Sequence, residues 1–289
     1  MKIVMLIPCL MLPNNREANK KLMRFAKEYY KGIDEFIVND QEFIDSDYEE
    51  GFTYIGHHKE RQGFVNTRNQ LLEYFYNSDA DWAIWMDANS RVSKTSLNDF
   101  ITLIDAVKQG KVEVDVVLST LGIIVSGERI DAKKRPDYFK KIYLTKVGNG
   151  YDWLHAAFMK NLKKYHNKEI YIDPEAEPRK AGMTEDVFFV RILRRLFDVR
   201  LCPTIVVTKA GVKTSTWAAS DTGKYNYPKN GYDATERAID KFINYYKLMP
   251  EKQTTKSYEY DRVELYINDL KPYKPRSKVK SNLLKRKDW

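Results

Sequence analysis

The sequence predicts an α/β protein with a mostly parallel sheet flanked by helices. Three observations predict it. Short apolar runs alternate with stretches of helical periodicity from residue 2 to residue 119, and that alternation is the pattern of βαβ units. The runs close on polar or turn residues, among them Pro8, Asp40 and Asp87. No apolar run approaches the roughly 18–20 residues that a membrane helix needs.

Residues 2–8 form the first apolar run and end at Pro8. The opening MKIVMLIPCLMLP reads as a buried strand rather than a signal peptide, because no small-residue cleavage site follows it. Residues 15–31 carry Ala18, Leu22, Phe25 and Tyr29 at helical spacing, with Gly32 as the stop. EFIVN (35–39) is the second strand, closed by Asp40, and FTYIG (52–56) the third. Residues 65–77 are helical, with Val65, Leu71, Leu72 and Phe75 turned inward. Trp82 to Met86 is a buried strand with Asp87 just past its end, followed by a helix over 95–109 and a strand over 114–119. Residues 128–180 read as irregular and basic. Thr184, Glu185 and Asp186 open a helix through VFFVRILRRLF, a cap followed by acids in the first turn. TIVVT (204–208) is a further strand and 233–248 a further helix. Residues 251–289 read as a basic extension, with eight lysines and arginines after residue 270.

Composition narrows the function. Hydrophobic residues make up 43%, enough for a packed core. Two cysteines and no CxxC exclude a zinc site of paired cysteines, argue against a disulfide framework, and fit a reducing cytoplasm. A net charge of +9 and a pI of about 9.2 favour polyanionic partners. In open α/β sheets ligands bind beyond the C-terminal strand ends, where Pro8, Asp40 and Asp87 all fall.

The stretch 63–89, GFVNTRNQLLEYFYNSDADWAIWMDAN, joins Gly63, Arg68-Asn69 and an apolar strand leading into Asp87-Ala88-Asn89. With Asp40 before it and Thr184-Glu185-Asp186 after it, this order resembles the GT-A nucleotide-sugar glycosyltransferases, most closely the large family-2-like group. The resemblance spans about residues 2–215 as scattered motifs. It implies a GT-A (Rossmann-like) domain over 1–250, with a nucleotide-sugar half at 1–125 and an acceptor half at 126–250, ahead of the 251–289 extension. It implies a UDP-sugar donor held by Pro8, Asp40, Arg68, Asp87 and Lys213. Mn2+ or Mg2+ would sit on Asp87 and Asn89, where the family usually has a second aspartate in place of Asn89. Glu185-Asp186 resembles the family's catalytic acid pair, in which the aspartate takes the acceptor proton in inverting enzymes.

The chemistry needs these residue types. A sugar diphosphate gathers negative charge as the glycosidic bond breaks, and a hard cation on oxygen ligands neutralises it. A carboxylate on the other side of the sugar can take the acceptor's proton. Asp79 and Asp81 precede the strand, at the wrong edge of the sheet, and read as a turn. None of the four histidines matches the family's later metal-binding position; His155 reads as a partly buried packing residue before one lying by the acceptor, and Trp153 and Trp217 as core tryptophans before stacking platforms.

A small, basic chain of this kind resembles the phage hexosyl- or pentosyltransferases that glycosylate hydroxymethylated, or already glycosylated, pyrimidines in DNA. Arg191, Arg194 and Arg195 on one helix and Lys278 and Lys280 in the tail are the DNA-contact candidates. No obligatory protein partner is evident. Three rivals stand beside this reading: a polysaccharide or protein glycosyltransferase, a nucleotidyltransferase and a non-enzymatic nucleic-acid-binding protein. The nucleotidyltransferase is disfavoured, because PCLMLPNNR (8–16) offers no glycine-rich phosphate loop.

Overall fold

The computed structural model describes residues 1–13, 15–42, 44, 47–60, 62–121, 142–146, 154–174, 185–209, 241 and 263–265. A sheet of ten strands forms the centre, with strand order β10-β7-β9-β6-β8-β4-β1-β2-β3 and β5 paired to β9 off this path. The strands are β1 (Ile3–Leu10), β2 (Glu35–Gln41), β3 (Thr53–His58), β4 (Trp82–Trp85), β5 (Ser90–Val92), β6 (Val116–Leu121), β7 (Ile142–Lys146), β8 (Ala157–Lys160), β9 (Val199–Lys209) and β10 (Val263–Leu265). The helices are α1 (Arg16–Tyr29), α2 (Phe64–Asn77), α3 (Leu97–Lys108), α4 (Leu162–His166) and α5 (Glu185–Leu196).

Tracing the pairings gives the direction of each strand. β1, β2, β3, β4, β6, β9 and β10 run one way, and β5, β7 and β8 run the other. The expected mostly parallel sheet is therefore present, with β8 inserted antiparallel between β4 and β6.

Both faces of the sheet are covered, and this explains why β1 is a continuous apolar run rather than an alternating one. Ile3, Met5, Ile7 and Cys9 pack with Met23 of α1, Tyr30 just after it, and Phe100, Leu103 and Ile104 of α3. Val4 and Leu6 point to the other face, against Leu71, Leu72 and Phe75 of α2 and Phe188, Phe189, Ile192 and Leu193 of α5. The same division holds in β4, where Trp82 and Ile84 join the first core and Ala83 and Trp85 the second. These two cores make three layers: α1 and α3, the sheet, α2 and α5.

The first four strands and three helices lie within about two residues of their expected bounds, the usual scatter at element ends. Three differences carry physical content. Within 128–180, expected to be irregular, the described residues form β7, β8 and α4. β8 is only four residues long and is held by β4 and β6 on either side, so its strand character comes from its neighbours. The strand expected over 204–208 runs from Val199 to Lys209, straight past Pro203. Proline has no N–H for a ladder and reads as a break. Here it falls where the β6–β9 register jumps, from Ser119 opposite Cys202 to Thr120 opposite Val206. The helix expected over 233–248 lies outside the described residues except Lys241, which is helical. The basic extension lies outside them except for β10, and Lys213, Lys278, Lys280, Trp153 and Trp217 all lie outside them.

Asp79 and Asp81 occupy the opposite edge of the sheet from Asp87, as expected. Asp81 accepts hydrogen bonds from the Lys2 backbone N–H at 2.8 Å, Lys164 Nζ at 2.6 Å and the Tyr165 hydroxyl at 2.9 Å. They tie the start of β1 and β4 to α4.

Candidate active site

The site grows from three strand ends and two helix starts. β1 delivers Pro8, β4 runs into Asp87-Ala88-Asn89, and β2 ends in three polar residues, Asn39, Asp40 and Gln41. Pro8, Cys9, Leu10, Gln41, Arg68, Asp87 and Asn89 help line a cleft at this edge, with about 450 Å³ of space that includes open solvent.

α2 begins at Gly63, whose φ of 89° suits glycine. Its first turn is anchored to β2. Gln41 Oε1 accepts from the Gln62 N–H at 2.7 Å, Gln41 Nε2 donates to Thr67 Oγ1, and Thr67 Oγ1 donates to the Gly63 carbonyl at 2.8 Å. Asn39 Nδ2 donates to the Thr67 carbonyl at 3.0 Å and to Gln70 Oε1 at 2.7 Å. On the other side Asn69 exchanges two hydrogen bonds of 2.8 Å with the backbone of Ile172. The Arg68-Asn69 pair thus divides its work: Asn69 pins the helix while Arg68 turns into the site.

Arg68 is buried, its side chain 4% exposed, and it meets three carboxylates. Its Nη2 lies 3.2 Å from Asp87 Oδ1, its Nε 3.0 Å from Glu185 Oε1, and its Nη1 is paired with Asp186 Oδ1. The Trp85 ring lies 5.1 Å from the guanidinium carbon. Burial alone would lower the Arg68 pKa, but Asp186, Glu185 and Asp87 outweigh it and the pKa rises. The Glu185 pKa also rises, which for an acid disfavours the charged form. Burial pushes its pKa up, Arg68 pulls it down, and the adjacent Asp186 pushes it up again. Three acids around one arginine leave an excess of negative charge in a dry place, which favours a proton or a further cation.

The structure thus brings Pro8, Arg68, Asp87, Asn89, Glu185 and Asp186 to one region. Glu185 and Asp186 sit in the first turn of α5, where the helix dipole favours acids. Asn89 is 7% exposed, and its Oδ1 accepts from Ser90 Oγ at 3.4 Å. Asp40 is fully buried and does not line the cleft; Gln41 beside it does. Alternation explains this, since Asn39 and Gln41 face α2 and Asp40 faces the opposite way. Burial raises the Asp40 pKa from 3.8 to about 7. Arg191, Arg194 and Arg195 lie on α5 at intermediate exposure.

Two features escaped the sequence reading. Gln41 was missed although three consecutive polar residues at the end of a strand covered on both faces were a visible signal. His155 is buried, as a packing residue would be, yet its Nδ1 lies 3.8 Å from Asp87 Oδ2. No local pattern announces that contact. It arises because β8 starts beside the end of β4, with Trp85 opposite Ala157.

No protein-family model matches the sequence, and no curated protein matches it. Solved structures do. Residues 1–349 of S. aureus TarS in complex with UDP-GlcNAc match at a TM-score of 0.54 and 17% identity, over 84% of this chain and 67% of that one. The same TarS fragment in a second crystal structure gives 0.47 and 16%, over 73% of this chain and 60% of that one. A197 from STIV gives 0.41 and 14%, over 74% and 87%. The match to the TarS complex shows that the two chains share their fold.

Proposed function

We propose that the protein is a GT-A nucleotide-sugar glycosyltransferase, moving a sugar from a UDP-sugar to a hydroxyl acceptor. The observation that carries this reading is the meeting of Asp87, at the end of β4 on a cleft, with Glu185 and Asp186 across a single arginine. In this reading Asp87 helps to neutralise charge on the leaving diphosphate, and the Glu185-Asp186 pair supplies the base for an acceptor hydroxyl. The shared fold supports the reading, because TarS was solved with UDP-GlcNAc.

In the reaction the bond from the anomeric carbon to the diphosphate oxygen breaks, and a bond from the acceptor oxygen forms. Asp186 takes the acceptor's proton. Glu185, raised by burial, shares the charge of the pair. Among the described residues no group of three or more acidic, histidine or cysteine side chains could hold a metal ion unaided. Asp87, 16% exposed, and Asn89 fit instead a hard cation whose shell is completed by phosphate oxygens and water. Such an ion, Mn2+ or Mg2+, would neutralise charge developing on the diphosphate. Lys213 is the candidate for a further phosphate contact.

For the acceptor we propose a hydroxymethylated or already glycosylated pyrimidine in DNA. The net charge of +9 supports a polyanion, with Arg191, Arg194, Arg195, Lys278 and Lys280 as the candidate phosphate contacts. A polysaccharide or protein is the competing acceptor. Incubation with labelled UDP-sugar and each acceptor separates them, and label in glycan alone removes DNA. The donor reading is tested by thermal shift with UDP, UDP-sugars, CDP and GDP, with and without Mn2+. UDP compounds should raise the melting temperature. A melting temperature unmoved by any nucleotide at millimolar concentration removes the assignment.

A further inference from the structure

We infer that Arg68, although it reaches the cleft, acts as a positioning residue that fixes the distance between Asp87 and the Glu185-Asp186 pair. The inference rests on the glycosyltransferase reading, but it departs from the role that the sequence resemblance gave this arginine.

Three observations carry it. First, the guanidinium has a different nitrogen against each acid: Nε at Glu185, Nη1 at Asp186 and Nη2 at Asp87. Arginine's donors lie in one rigid plane with set directions: Nη1 and Nη2 hydrogen-bond Asp186 and Asp87, and Nε is ion-paired with Glu185. Swinging the guanidinium away from these acids would leave buried carboxylates without their counter-charge, which is strongly unfavourable. Second, one face of that plane is covered by the Trp85 ring, and the side chain is 4% exposed. Third, the stem cannot slide. Thr67 and Asn69 on either side are bonded to β2 and to Ile172.

The acids come from elements distant in the chain. Asp87 follows β4, while Glu185 and Asp186 open α5 on the α2 side of the sheet. Arg68, from a third element, is the charge they share. It sets where the proton-accepting acid stands relative to the acid on the leaving-group side, and transfer depends steeply on that spacing.

The test compares the wild type with Arg68→Lys, both with Mn2+. Lysine keeps the charge but is a point donor and cannot span three acids. UDP affinity is measured by calorimetry, and turnover by UDP released when a panel of UDP-hexoses is hydrolysed with water as acceptor. The expected result is a UDP dissociation constant within about tenfold of wild type and a kcat lower by about 100-fold or more. A loss of UDP affinity that matches the loss of turnover makes Arg68 a donor contact and overturns the inference. Full turnover in Arg68→Lys overturns it as well. A wild type that neither binds UDP nor releases it from any UDP-hexose overturns the glycosyltransferase reading, and the inference with it. If Arg68→Lys does not fold, Arg68→Gln carries the same comparison. Unchanged kcat there overturns the inference.

Discussion

Asp40 offers a prediction with a computable size. It is fully buried at the end of β2, and burial lifts its pKa from 3.8 to about 7. The folded state therefore holds this proton more tightly than the unfolded state. The group's full contribution to stability is present below pH 3.8 and is lost as pH rises through about 7. Each pKa unit corresponds to about 1.4 kcal/mol, so the loss totals about 4 kcal/mol above neutral pH. Asp40→Asn keeps the shape and removes the titration. The quantity to follow is the variant's unfolding free energy minus that of wild type, from urea transitions between pH 4 and pH 8. It should climb by about 1.4 kcal/mol per pH unit and level off near pH 7. A difference that stays flat from pH 4 to pH 8 would show that Asp40 ionises normally and that its burial costs nothing. A difference that falls with pH would show a cation paired with it.

Further predictions follow from the same geometry. Asp87→Asn should leave the circular dichroism spectrum unchanged, raise the UDP dissociation constant in Mn2+ by about tenfold or more, and abolish transfer; retained transfer removes the metal-site assignment. Asn161 caps α4 and donates to the Phe75 and Ala80 carbonyls at 3.0 and 3.1 Å, so Asn161→Ala should cost about 2–3 kcal/mol in a urea transition. A loss below about 0.5 kcal/mol would show that those carbonyls find other donors. Phe158 is fully buried on β8 and packs at a tilt against Phe100, with ring centroids 5.4 Å apart. Phe158→Ala should cost about 3–5 kcal/mol, and an undisturbed melting temperature would refute β8 as a core strand.

The first half of the fold was readable because each of its elements carries its own signal. β1 and β4 are apolar runs with turn residues at their ends, and α2 shows its inward stripe at Val65, Leu71, Leu72 and Phe75. β8 was not readable. Its four residues, AFMK, have no strand pattern of their own and are made a strand by β4 and β6, which are far away in sequence. β9 was cut short for the opposite reason, since Pro203 is a strong local breaker that a register shift accommodates. In the site, Asp87 was legible from its place after a strand, and Glu185-Asp186 from their place at a helix start. Arg68 was legible as an important residue but not as their common counter-ion, because ion pairs between residues more than a hundred positions apart leave no spacing to read. His155 meets Asp87 across the β4–β8 pairing, which likewise leaves no local spacing to read.

The central claim is that Asp87 stands where the diphosphate of a nucleotide-sugar leaves. A crystal structure of the protein with UDP and Mn2+, using the anomalous signal of manganese, tests it most directly. The account predicts manganese beside Asp87, with the diphosphate in the cleft between Pro8 and Asn89. Manganese or nucleotide bound only elsewhere, with this cleft empty, would contradict it.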